Sequence, residues 1–109
     1  MKPHDFQILL ALAEEPRHGS GIVRAVLDQT AGALRLWPVK LYAALESLAE
    51  EGLIEALPDR ERPPGASARR HYYRPTRAGR QALAAEADRL AHLADTARTR
   101  LARRQRSRS

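Results

Sequence analysis

The side chains able to do covalent or metal chemistry are few and scattered. Four histidines, His4, His18, His71 and His92, fall in separate segments with no acidic partner at a metal-ligand spacing, so neither a zinc site nor an acid–base pair is spelled out. The chain has no cysteine, which removes disulfides, thiolate ligands and thiol nucleophiles. The serines lack a nucleophile-elbow context, and no glycine-rich loop is placed to cradle a phosphate. His18 is read as a turn residue that bonds the backbone. No catalytic residue, metal or cofactor is expected, and the chain is not expected to be an enzyme.

The chemistry that is spelled out is ionic. Seventeen of the nineteen basic residues are arginine, and the net charge is +6. Residues 1–59 carry a balance of −4, whereas residues 60–109 carry +10. Between positions 60 and 80 there are seven arginines against the single acid Glu61. Such a concentration of guanidinium fits a polyanionic partner, nucleic acid before membrane, because no basic amphipathic helix with an aromatic face is present. No apolar run approaches the roughly 18–20 residues a membrane helix needs, and the first residues lack the apolar stretch of a signal peptide. A cytoplasmic location is expected.

These groups must be positioned by a small domain of 109 residues that holds together by packing alone. Asp5 is placed to cap a first helix bearing Phe6, Leu9, Leu10 and Ala13, stopped by Glu15-Pro16. The turn His18-Gly19-Ser20-Gly21, with Ser20 as a candidate cap, opens a second helix that ends before Gly32. Pro38 suits the first turn of a third helix, on which Leu41, Leu45 and Leu48 share a face until Glu51-Gly52 closes it. The period then changes. Leu53–Leu57 and Arg70–Arg74 read as two strands joined by a Pro/Gly loop. Tyr72 and Tyr73 alternate, so one packs on the core and the other faces out. Thr76 can cap a long helix from about Arg77 to Arg103. On it Leu83, Ala87, Leu90, Ala94, Ala97 and Leu101 form a heptad stripe. The last residues have no apolar content.

The expected fold is therefore mainly α with a small β-hairpin: a winged helix-turn-helix over residues 1–76 with its wing at about 53–75, a C-terminal dimerisation helix over 77–102 and a disordered basic tail over 103–109. Three blocks carry a resemblance to a known family. His18-Gly19-Ser20-Gly21-Ile22 is similar to the His-Gly-Tyr-Gly-Ile turn of PadR transcriptional regulators. Leu41-Tyr42-Ala43-Ala44-Leu45 through Glu51-Gly52-Leu53-Ile54 resembles their recognition-helix signature. Arg70-His71-Tyr72-Tyr73-Arg74-Pro75-Thr76-Arg77-Ala78-Gly79 resembles their exit from the wing. Ser20, Trp37, Lys40 and Pro75 depart from the family pattern, and they lie close to the expected DNA surface. The resemblance implies a transcriptional regulator, expected to be a repressor. It also implies a dimer joined through the terminal helix together with the first, and release by a small-molecule effector that the sequence does not identify.

On the third helix the face opposite the leucines carries Val39, Ala43, Glu46 and Glu50, flanked by Lys40, Ser47 and Tyr42. Val39 and Ala43 are small enough to touch thymine methyls, Lys40 can reach phosphate or guanine, Tyr42 can donate to phosphate, and Glu46 can accept from a cytosine amino group. Pro38, Val39, Lys40, Tyr42, Ala43, Glu46 and Ser47 are thus the candidate reading residues. The alternative is that Val39 and Ala43 are tolerated surface residues and Tyr42 packs against the wing. Arg60, Arg62, Arg69, Arg70 and Arg74 are candidate wing contacts to the backbone or a narrow minor groove. Leu83, Ala87, Leu90, Ala94, Ala97 and Leu101 are the candidate dimer seam. Trp37 is expected in the core or against a partner chain. A twofold dimer implies an inverted-repeat operator in double-stranded DNA. The competing classes are a winged-helix protein-interaction module and a nonspecific nucleic-acid binder.

Overall fold

A computed structural model of the chain describes residues 1–66 and 70–108. Helix α1 spans Pro3–Glu14, with Lys2 as its extended N-cap and a proline in the first turn. Asp5 is therefore inside the first turn and not the cap expected from the sequence. A proline at the first helical position gives up no hydrogen bond, so the helix starts earlier. Glu15 is extended ahead of Pro16, as the residue before a proline must be.

Helix α2 spans Gly19–Gln29, and its N-cap is His18, not Ser20: the Gly21 N–H donates to the imidazole Nδ1 at 3.4 Å. Helix α3 spans Pro38–Glu50 with Leu41, Leu45 and Leu48 buried. Gly52 follows at φ +75°, and the Leu53 N–H returns to the Leu48 carbonyl at 2.9 Å. That left-handed residue and six-to-one bond are the terminator glycine supplies without strain.

The three helices close one core. Ile8, Leu9, Leu12, Ile22, Val26 and Leu48 are the largest fully buried side chains, and Ile54 joins them from the first strand. Strand β1 is Ile54–Ala56 and β2 is Tyr73–Pro75, antiparallel, with Ile54 opposite Pro75 and Ala56 opposite Tyr73. Both are shorter than the sequence pattern predicts, and β2 lies toward the end of its run. Tyr73 has a further partner: it exchanges both backbone bonds with Arg17, at 2.9 and 3.3 Å, in a bridge just before α2. Tyr73 packs against the core, whereas Tyr72 meets the His18 ring edge-on at 5.1 Å.

Thr76 caps helix α4 as expected: its hydroxyl accepts from the Gly79 N–H at 3.0 Å and donates to the Gly52 carbonyl. Helix α4 spans Arg77–Arg108. It therefore runs through residues the sequence reading assigns to a disordered tail, with Ser109 outside the described residues. Arginine and glutamine are good helix formers, nothing in the segment breaks the ladder, and Arg106 and Arg108 in the last turn favour the negative end of the helix dipole. The first turns of α4 lie against α1 and the wing, with Gly79 and Glu86 buried; the remainder extends from the body, giving overall dimensions of 63 × 27 × 24 Å.

Candidate nucleic-acid interface

Burying Leu41, Leu45 and Leu48 turns the opposite face of α3 to solvent. Val39 is 84% exposed and Tyr42 59%, and Lys40, Ala43 and Glu46 are exposed beside them. Ser47 is half-buried and its hydroxyl lies 3.4 Å from the Glu51 carboxylate, so it belongs to the edge of this face. Pro38 stands exposed at the helix start.

Tyr42 leans back over the start of α2, close enough that a Cβ at Gly19 would sit 3.2 Å from its hydroxyl. A cleft of about 200 Å³ between α2, α3 and the wing is lined by His18, Ser20, Tyr42, Arg70, His71 and Tyr73. The structure thus brings Tyr42 and Arg70 together, 28 positions apart in sequence. On the other side of α3, Lys40 shares a groove of about 340 Å³ with Lys2, His4 and Asp5 of the α1 terminus. Lys2 and His4 were not expected at this surface; only the packing of α1 on α3 places them there.

The wing arginines divide into two groups. Arg74 bonds the carboxylates of Glu55 at 2.9 Å and Glu61 at 2.7 Å, and the Glu55 hydrogen bond is the main reason its pKa is raised. Arg62 pairs with Asp59 at 2.8 Å. Glu55 and Asp59 precede the segment whose charge looked one-sided and fold back onto it, so the wing carries less free positive charge than its sequence implies. Arg60 and Arg70 are exposed and have no carboxylate partner among the described residues. Arg69 lies outside the described residues.

Arg70 reaches the wing side of α2 instead. Its Nη1 lies 3.1 Å from His18 Nε2. A neutral imidazole has one lone pair, so the ring accepts either from Arg70 or from Gly21. Burial, then Arg70, then Arg24 hold the His18 pKa below its usual 6.5, and protonation would remove both acceptor roles. Because the folded value is depressed, the stability this group contributes is complete above pH 6.5 and is lost as pH falls through the folded value. Denaturant midpoints measured between about pH 7 and pH 5 should fall for the natural chain and flatten for His18→Asn; parallel curves would show that His18 is not coupled to folding.

The apolar stripe on α4 is split by the fold. Leu83 packs on the core, while Leu90 is 39% exposed and shares a groove with Met1 and with Pro3 and Phe6 of α1. Ala94 is half-buried, Ala87 and Ala97 are exposed, and Leu101 is largely exposed. Leu93, absent from the expected stripe, is exposed as well. Leu10, one turn beyond Phe6 on the same side of α1, is a further exposed leucine. The structure adds a buried carboxylate the sequence did not mark: Glu86 takes two bonds from Arg89 at 2.7 and 2.8 Å, and these hold its pKa below normal. Trp37 is not in the core, the first of its two expected places; its ring is exposed at the N-cap of α3. Among the described residues no cluster of His, Cys, Asp and Glu is arranged to hold a metal ion. Nor is any helix long and apolar enough to cross a membrane.

The family described as the transcriptional regulator PadR-like family matches residues 8–85. Among solved structures, a PadR family transcription regulator from Clostridium difficile aligns with a TM-score of 0.74 at 21% identity, covering 92% of this chain and 99% of that one. A PadR-like transcription factor from Bacteroides fragilis aligns at 0.65 and 26% identity, covering 85% and 84%. Bacillus subtilis PadR, solved in complex with operator DNA, aligns at 0.61 and 21% identity, covering 75% of this chain but 45% of that one. No curated protein matches the sequence.

Proposed function

The chain belongs to the PadR-like family of transcriptional regulators, and on that premise we propose that it is a homodimeric repressor that reads an inverted repeat in double-stranded DNA. Residues 1–76 act as the reading unit and α4 as the dimerising element. The observation that carries this is the outward face of α3: Val39, Lys40, Tyr42 and Ala43 are exposed on a helix held rigidly by three buried leucines. A helix presented in that way fits the major groove, with small apolar side chains toward thymine methyls and Lys40 and Tyr42 toward phosphate or base edges. Arg60 and Arg70 on the wing supply backbone contacts. B. subtilis PadR, whose fold this chain shares, is itself bound to operator DNA.

Two such helices related by a dimer axis would meet half-sites about 34–36 Å apart. Occupying a promoter in that way blocks transcription without further chemistry, and such a protein works in the cytoplasm. An effector that changes the angle between the two reading units would release it.

Selection of bound fragments from random duplex DNA tests the reading. An enriched inverted repeat should stay preferred over random duplex at about 150–200 mM salt. Binding that fades equally for every sequence would leave only electrostatic attraction, and no binding would favour an acidic protein as partner. The variant carrying both Lys40→Ala and Tyr42→Ala should lose about tenfold or more of that preference through the Lys40 contact to a base edge, worth about 1–3 kcal/mol, and should bind every sequence more weakly through the lost Tyr42 phosphate contact. It should keep its dimer by sedimentation; undiminished preference would move the reading face elsewhere.

A further inference from the structure

Trp37 is the chain's single tryptophan. It stands 61% exposed at the start of α3. The Arg35 guanidinium lies 4.6 Å from the centre of its ring. Arg35 is exposed and makes no ion pair among the described residues, so the stack holds the cation in place without neutralising it. The pair forms one rim of an open cleft of about 310 Å³ whose other walls include Ser20, Val23, Leu41 and Tyr42. Tyr42 also lines the cleft that carries Arg70. The rim is thus continuous with the candidate interface and extends it past the N-terminal end of α3.

An unneutralised guanidinium beside an exposed ring favours an anionic partner with apolar parts over a purely apolar surface. The DNA backbone offers both at the spacing of one nucleotide: phosphate oxygens for the planar N–H edge and deoxyribose for the indole. A guanidinium already fixed by stacking loses little freedom on binding. We infer that the Arg35–Trp37 stack grips the sugar–phosphate backbone at the N-terminal end of α3 and so sets how far the recognition helix enters the groove. This rests on the DNA-reading function above. The pair positions the helix and carries no sequence information of its own.

The lone tryptophan makes the test direct. The full-length protein is titrated with a fluorescein-labelled duplex enriched from the random pool, anisotropy reporting binding while acrylamide quenching reports access to Trp37. Quenching should fall severalfold in step with anisotropy. Arg35→Ala should weaken enriched and random duplexes alike and lower the slope of log affinity against log salt by about 1. Trp37→Phe, which keeps the stack, should retain most of the affinity that Trp37→Ala loses. Saturating anisotropy with unchanged quenching would overturn the backbone grip and leave the DNA reading intact. Quenching that falls with protein concentration before DNA is added would assign the rim to a second copy and overturn it too. An Arg35→Ala variant with an altered preferred sequence would make the pair a base reader. Failure to enrich any duplex would overturn the DNA reading and this inference with it.

Discussion

Alanine at position 79 should cost the protein about 3 kcal/mol, shown by a large drop in its denaturant midpoint. Gly79 lies in the first turn of α4, buried, with its Cα against the backbone of Leu53. A Cβ there would collide with the Leu53 carbonyl oxygen, and that oxygen already accepts the Thr76 N–H at 3.0 Å. Backbone cannot rotate out of the way as a side chain would. Either α4 lifts from the wing or the Thr76 bond breaks. Overpacking ordinarily costs about 1–3 kcal/mol, and a buried bond lost with it adds about 1. Domains of this size are stable by only about 5–15 kcal/mol. The sign is itself diagnostic, because glycine to alanine inside a helix otherwise stabilises by about 1 kcal/mol. A midpoint that rises in Gly79→Ala would mean that α4 and the wing do not touch there.

The second large effect concerns assembly. Leu93→Asp combined with Leu101→Asp should give a monomer by sedimentation and weaken binding to a two-half-site duplex by a factor on the order of 10²–10⁴. Both leucines are exposed on the part of α4 that extends from the body, so the exchange should leave the core untouched. Leu90 is a poorer choice because it also lies against α1. The loss is that of linkage: each reading unit keeps its own contacts, but the second half-site is no longer presented at high effective concentration. Affinity for an isolated half-site should therefore be nearly unchanged. If the doubly substituted chain still sediments as a dimer, the seam lies on another face.

Most of the framework was legible because its signals are local. Pro38 opens α3, Leu41, Leu45 and Leu48 fall one turn apart, Gly52 ends the helix and Thr76 caps α4. Each is decided within five residues of chain. The departures arise where a distant segment intervenes. Tyr73 pairs with Arg17 as well as Ala56, a backbone contact that its own strand does not signal. Glu55 reaches across the hairpin to neutralise Arg74, nineteen positions on, which looked free in sequence. The outward face of α3 followed from its leucine spacing, whereas its neighbours Lys2, His4 and Arg70 depend on how α1 and the wing pack around it. Of the two places expected for Trp37, the core is the one it does not occupy. Nothing in its immediate sequence marks it as exposed.

Helix α4 carries a consequence that concerns leverage. At 1.5 Å per residue its 32 residues make an arm of about 48 Å. Its root is fixed where Gly79 meets Leu53 and where the buried Glu86 lies 3.9 Å from the N-terminal ammonium of Met1. In a dimer clamped near Leu101, about 33 Å along the helix from Gly79, a tilt of about 5° at the clamp would carry the root of the arm through about 3 Å, close to the roughly 3.4 Å rise of one base pair. A change at the seam no larger than one side chain adopting a new rotamer would then put the two recognition helices out of phase with their half-sites.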